Sequence, residues 1–261
     1  MTERKALVTG AGKRLGRAMA LELAQQGYDV AVHYAGSQEA AEEVAAEIRA
    51  MGRTAATVQA DLLEEDAAQA LVAQAAQALG GPLTVLVNSA SIFEHDDFGT
   101  ATRDSWDRAI ESNLRAPFVL TQNFARQVPE PQTDARGEPL AQGLVVNMID
   151  QRVHKLTPEF ASYTIAKAGL WVMTRTAAQG LAPRVRVNGI GPGPTLKGGR
   201  QSEDDFAAQR AATVLKRGAD AEDICGALTY LLTAKSVTGQ MICIDGGQHL
   251  AWETPDVTGV E

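Results

Sequence analysis

Short β-branched runs alternate with long alanine-rich stretches along the whole sequence, and this alternation restricts the fold more than any other feature. "ALVTG" precedes a helical pattern over 14–27, "YDVAVHY" one over 37–51, "TAATVQAD" one over 64–79, and "LTVLVN" one over about 103–127. The second half continues with "GLVVNMID", a helix over about 160–181, "VRVNGIGPG", a helix near 220–233, and "QMICIDGG". Strands separated by helices cannot pair as tight hairpins. They join through right-handed crossovers, which make the sheet parallel and cover both of its faces. With 261 residues, 45% of them hydrophobic, the chain can fill such a core. The expectation is one doubly wound α/β domain spanning 1–261, with about seven parallel strands.

Two stretches break the alternation. "VPEPQTDARGEPLAQG", 128–143, carries three prolines and two glycines and reads as a surface excursion before the fifth strand. "GPGPTLKGGRQSEDD", 191–205, follows the C-terminal edge of the sixth strand, the edge where such sheets bind ligands. It reads as the start of a substrate lid over about 194–215. The tail "TPDVTGVE" reads as weakly ordered or committed to a subunit contact.

"MTERKA" leads straight into the first strand without a basic and apolar leader, so secretion is not expected. Polar residues interrupt every apolar run well short of the roughly eighteen residues a membrane span needs. Cys225 and Cys243 form no CxxC pair and suit a reduced, cytoplasmic setting. His33, His95, His154 and His249 are scattered, as surface or loop histidines are, and no metal is expected. A net charge of −8 with no basic stripe argues against nucleic acid as a partner.

"ALVTGAGKRLGRAMALEL" sets a buried strand, a glycine turn and a helix in succession, the context of a dinucleotide site, although the GxGxxG pattern itself is not matched. Gly10 lets the turn bend sharply, Gly16 allows helix and strand to pack closely, and the helix N-terminus offers N–H groups to a pyrophosphate. No carboxylate stands in "VHYAGS" after the second strand to accept from a ribose 2′-hydroxyl, whereas Lys13 and Arg14 stand in the turn. That sign favours NADP(H). Ser37 either adds a hydrogen bond to the 2′-phosphate or caps the following helix. Asp61 either accepts from the adenine amino group or caps the next helix.

In "SYTIAK", Tyr163 and Lys167 are four apart and share a helix face. A phenol with a pKa of about 10 exchanges protons poorly at neutral pH, and a neighbouring ammonium is expected to lower that value. Such pairs are common on helix surfaces. The glycine turn at 9–16 and an asparagine at 113 make this one a candidate for chemistry.

"TGAGKRLG", "VNSAS", Asn113 in "ESNLRAPF", "YTIAK", "RVNGIGPG" and "TGQMICIDGG" together resemble the short-chain dehydrogenase/reductase family, over nearly the whole chain. The resemblance implies a Rossmann-type fold. It implies a cofactor held by Gly10, Lys13, Arg14, Leu15 and Gly16, by Tyr34 and Ser37, by Asp61 and Leu62, by Asn88, Ser89 and Ala90, and by Pro192 and Gly193 at the nicotinamide. It gives Tyr163 the role of proton donor. Lys167 would lower the Tyr163 pKa and hold the nicotinamide ribose, and Asn113 would position a water relaying protons to Lys167. It also implies a homotetramer built through the helices around 103–127 and 160–181.

In this family a serine about thirteen residues before the tyrosine orients the substrate carbonyl; here that position is Asp150. An ionised aspartate only accepts hydrogen bonds and repels a developing alkoxide, so a C=N substrate, whose nitrogen gains a proton, suits it better. Arg14 in the turn, Ser91 and Phe93 in "NSASIF", and Asp150 together resemble the pteridine reductases and the dihydromonapterin or alternative dihydrofolate reductases. That resemblance implies NADPH-dependent reduction of a pterin-type C=N bond. Phe93 would stack on the pterin or plug the core under a loop, Ser91 would touch substrate or cofactor phosphate, and Asp150 and Tyr163 would meet the heterocycle. Gln151, Arg152 or His154 would read a polar tail. The chain departs from the pattern in "YAGS", where an arginine is often found, and in Ser89 of "NSAS". The alternative is a carbonyl reductase in which burial keeps Asp150 protonated. A non-catalytic nucleotide-binding protein is the reading from another class.

Overall fold

A computed structural model of the protein describes residues 4–254 and 257. Most of the tail from 254 onward, and with it the expectation of weak order or a subunit contact there, lies outside the described residues. The chain runs β1 (Lys5–Val8), α1 (Arg14–Gln25), β2 (Asp29–Tyr34), α2 (Gln38–Ala50), β3 (Ala55–Gln59), α3 (Glu65–Ala78) and β4 (Val85–Asn88). It continues through α4 (Arg103–Ile110), α5 (Ala116–Gln127), a hairpin of β5 (Gln132–Thr133) and β6 (Pro139–Leu140), and β7 (Gly143–Met148). The last part is α6 (Ala161–Gly180), β8 (Val185–Pro192), α7 (Glu203–Ala211), α8 (Ala221–Thr233) and β9 (Met241–Ile244). Seven strands form a parallel sheet in the order β3-β2-β1-β4-β7-β8-β9. Chain order reverses between β1 and β4, and the crevice beyond their C-terminal ends is where ligands bind such sheets.

Alternation along each strand divides the core into two layers. Ala6 and Val8 of β1 pack with Met19, Leu23, Val44, Ile48, Ile224 and Leu228 under α1, α2 and α8. Leu7 between them points the other way, to Leu71, Leu120, Phe124, Val145 and Val187. Each fully buried leucine or phenylalanine contributes about 1.5–3 kcal/mol. Both cysteines are free thiols. Among the described residues, no helix is long and apolar enough to cross a membrane.

The helix read as continuous over 103–127 is broken by a π-turn at Glu111–Arg115. Such turns recur at functional sites. The 128–143 excursion is ordered as the antiparallel β5–β6 hairpin, closed by an Asp134 turn.

Candidate active site

A cleft of about 970 Å³ opens over the carboxyl ends of β1, β4, β7 and β8. At its β1 end Gly10 adopts φ +64°, and a Cβ there would lie 3.0 Å from the Ala90 Cα. A Cβ on Gly16 would overlap the Gly10 carbonyl oxygen. The two glycines therefore allow a left-handed turn and the approach of α1 onto it. The N-cap residue Lys13 makes no side-chain cap bond, which leaves the first N–H groups of α1 to a ligand.

Two residues hold this cradle without having been expected there. Thr9 Oγ1 accepts from the Ser89 and Ala90 N–H groups, both at 2.9 Å, and so pins the end of β4 to the turn. His33, expected at the surface or in a loop, is 1% exposed on β2. Its Nδ1 accepts from the Gly10 N–H at 3.0 Å, so Nε2 carries the proton and donates to the Ala60 carbonyl at 3.0 Å. Burial lowers the ring's pKa from 6.5 to about 4.

Acid sensitivity follows from that depressed value. The folded ring stays neutral while the unfolded chain takes up a proton, so His33's contribution is intact above pH 6.5 and is lost as pH falls toward 4. The full loss is about 3 kcal/mol. Urea midpoints at pH 7 and pH 5 should fall for the wild type and fall less for His33→Asn, which cannot titrate.

Several expected cofactor contacts are arranged differently. Arg14, at φ +54°, sends both guanidinium nitrogens to the segment after β8, to the Leu196 and Lys197 carbonyls at 2.9 Å each. In this arrangement it holds that segment and is not turned to a 2′-phosphate, whereas Lys13 has no hydrogen-bond or ion-pair partner among the described residues. Ser37 makes no side-chain cap bond to α2 and, like Tyr34, does not line the cleft. Asp61 lines the cleft but does not cap α3; its Oδ1 accepts from the Leu63 N–H at 3.0 Å. Asn88 is a sheet residue, donating to Asn147 Oδ1 at 2.8 Å, and Asn147 in turn donates to Thr174 Oγ1 at 2.9 Å. Leu15, Leu62, Ser89, Ala90, Pro192 and Gly193 line the cleft as expected.

At the reacting end, Tyr163 is 7% exposed and its hydroxyl donates to Asp150 Oδ2 at 2.9 Å. Asp150 Oδ1 accepts from the Arg152 N–H at 2.8 Å. Burial raises the Asp150 carboxyl above its ordinary pKa. Burial first, then the Asp150 charge and hydrogen bond, drive the Tyr163 phenol well above its own. Lys167 Nζ is 5.6 Å from the Tyr163 ring centre and donates to the Met148 carbonyl at 2.7 Å, and burial lowers its pKa to about 8. The expectation that Lys167 lowers the tyrosine's pKa is therefore corrected. Helical spacing brought the lysine near, but burial of the phenol raises its pKa, and the carboxylate from the end of β7 on the hydroxyl pushes the same way. The expectation that Asp150 is simply ionised is weakened in the same way.

Asn113, fully buried in the π-turn, donates to the Ile92 and Ala109 carbonyls and accepts from Ser91 Oγ at 2.7 Å. Its side chain fixes the Ser91–Ile92 segment. Phe93 is already stacked: the Phe160 ring lies 4.3 Å away at 7°, and the Arg200 guanidinium sits 5.6 Å from each of the two rings. Phe93 also meets the edge of Tyr163 at 4.7 Å. Gln151 and Arg152 line the cleft, whereas His154 turns to Trp171 and His249 outside it. Phe160 and Arg200 could not be read locally, because they arrive from the α6 entry and the segment between β8 and α7.

A buried phenol hydrogen-bonded to a carboxyl, next to a glycine cradle, can deliver one proton beside a bound dinucleotide. Residues 10–249 match the family model described as enoyl-(acyl carrier protein) reductase. The chain belongs to the short-chain dehydrogenase/reductase family. Among short-chain reductases, the 3-oxoacyl-[acyl-carrier-protein] reductase FabG of Staphylococcus epidermidis is 32% identical over 252 residues, covering 95% of this chain and 99% of that one. FolM alternative dihydrofolate reductase 1 from Brucella suis, solved in complex with NADP, is 44% identical with a TM-score of 0.90, covering 98% of both chains. A short-chain dehydrogenase from Burkholderia cenocepacia, also solved with NADP, is 31% identical with a TM-score of 0.84, covering 94% of this chain and 97% of that one.

Proposed function

We propose that this short-chain reductase uses NADPH to reduce the C=N bond of a dihydropterin-type ring, such as dihydromonapterin or dihydrofolate. The observation that carries this reading is the Asp150 carboxyl on the Tyr163 hydroxyl, in the position where the family has a serine. The likeness to the NADP-bound Brucella enzyme supports it.

NADPH, when bound, supplies the hydride to the ring carbon. The ring nitrogen then needs one proton, and Tyr163, held fully protonated by its raised pKa, donates it. A phenolate against a carboxylate would set two like charges in contact. Asp150, with its own pKa raised by burial, relays a proton from water in the cleft back to Tyr163 after the transfer. Lys167, beside the Tyr163 ring, offsets the transient negative charge and would hold the nicotinamide ribose of the bound cofactor. Phe93 offers the flat ring an aromatic face, with Phe160 yielding its place in the stack.

The carbonyl-reductase reading is supported by one specific observation: burial raises the Asp150 pKa, the direction that would let its carboxyl donate to a carbonyl oxygen as the family's serine does, and the FabG relatives are oxoacyl reductases. Side-by-side kcat/KM values for dihydropterins and small ketones separate the two readings. A higher value for dihydropterins supports the proposal, and turnover of ketones alone overturns it.

With Arg14 on the segment after β8, Lys13 is left as the turn's cation for the 2′-phosphate. Lys13→Ala should cut the preference for NADPH over NADH about tenfold, as loss of one charge-assisted contact would. Competition kinetics with the two cofactors check this. The proposal includes a cytoplasmic homotetramer, supported by the free thiols and by an apolar groove of about 470 Å³ lined by Leu114, Phe118, Val172 and Met173.

A further inference from the structure

Helix α6 carries Tyr163 in its first turn but does not cap itself. Phe160, the residue before it, adopts φ +56°, makes no side-chain cap bond and commits its ring to Phe93. The orphan N–H groups of such a turn need acceptors. Two of them, those of Ala161 and Ser162, find acceptors on Asp96, 66 positions before Ser162. Its Oδ1 accepts from the Ser162 N–H at 3.1 Å, and its backbone carbonyl accepts from the Ala161 N–H at 3.2 Å. The other carboxylate oxygen accepts from Ser105 Oγ at 3.2 Å, and Ser105 closes the capping box of α4 with Thr102. Asp96 is 4% exposed, so this carboxylate is enclosed by those donors.

The loop that supplies Asp96 also carries Ser91 and Phe93. One residue therefore joins three parts that must agree in register: the loop forming the aromatic seat, the start of α4, and the residues immediately before Tyr163. A negative charge at two helix N-termini is also electrostatically favoured. We propose that Asp96 is a positioning residue for the reductase reaction, acting as a remote N-cap that fixes the first turn of α6 and so sets the Tyr163 hydroxyl against Asp150 and the substrate. The inference rests on the proposed reductase activity for its kinetic consequence, though not for its geometry.

The geometry is tested by hydrogen–deuterium exchange on the NADPH-bound protein, and the consequence by steady-state kinetics with whichever pterin or ketone the wild type reduces. Asp96→Ala should speed exchange of the Ala161 and Ser162 amides at least tenfold and lower kcat by roughly 10- to 100-fold, with the KM for NADPH within about twofold. Asp96→Asn removes the charge but keeps an acceptor for the Ser162 N–H, so it should recover most of kcat and of the amide protection. It separates placement from a general loss of stability. A merely structural role would lower the melting temperature of both variants but leave kcat per folded site and the α6 amides unchanged, which would overturn the proposal. So would wild-type exchange at Ser162 in Asp96→Ala. If the wild type reduces nothing, the reductase reading fails, while the exchange result still decides whether Asp96 fixes the turn.

Discussion

Replacing Tyr163 by phenylalanine should reduce turnover by about 10³-fold or more while leaving NADPH affinity within about twofold, because loss of a positioned general acid typically costs 10²–10⁴ in rate. The hydroxyl is the group aimed at Asp150, and the ring edge packs on Phe93, so removing one oxygen leaves the packing in place. The phenol's pKa is raised by burial and by Asp150, which makes it a proton donor at every pH where the enzyme is folded. Its role therefore does not depend on reaching the phenolate. Stopped-flow hydride transfer together with NADPH fluorescence titration checks both halves. A variant that binds NADPH normally and turns over at the wild-type rate would remove Tyr163 from the chemistry.

The second large effect is expected at Asp150. Asp150→Ser restores the family's usual hydroxyl, which can donate to a carbonyl oxygen but cannot store a proton near neutral pH. Dihydropterin reduction should fall about 100-fold, and any ketone activity should rise or hold. The variant also removes the carboxyl that raises the Tyr163 pKa, so the tyrosine should titrate at lower pH than in the wild type. The pH profile of kcat would report that shift. If Asp150→Ser lowered ketone and pterin turnover equally, Asp150 would be serving the placement of Tyr163 alone, and the C=N argument would lose its support.

The sequence made the sheet legible because each β-α unit carries its own periodicity. Strands such as Lys5–Val8 and helices such as Gln38–Ala50 fall within a residue or two of their expected limits. Gly10, Gly16, Tyr163 and Lys167 were legible for a similar reason, each belonging to a local spacing with its own chemistry, whereas Asp150 was singled out only through the family resemblance. Contacts between segments were not. His33 is tied to Gly10 across 23 positions and Arg14 to Lys197 across 183, and neither pairing leaves a trace in local pattern. The Tyr163 pKa was misjudged in sign because the helix displays Lys167, whereas the burial of the phenol, and the Asp150 carboxyl from the end of β7, appear only once the chain is folded. The Asn88–Asn147 hydrogen bond was equally invisible, because the parallel register that sets the two side by side appears only once β4 and β7 pair.

The central claim is that hydride goes to the carbon of a C=N bond while the Tyr163–Asp150 pair supplies the proton to its nitrogen. The most direct test is to run the enzyme with NADPH deuterated at the transferred position, offer a dihydropterin and a ketone in the same vessel, and analyse the products by mass spectrometry and NMR. The account predicts one deuterium fixed on carbon in the tetrahydropterin, formed faster than any deuterated alcohol. Deuterium appearing only in the alcohol would contradict it and identify a carbonyl reductase in which Asp150 acts as a neutral donor.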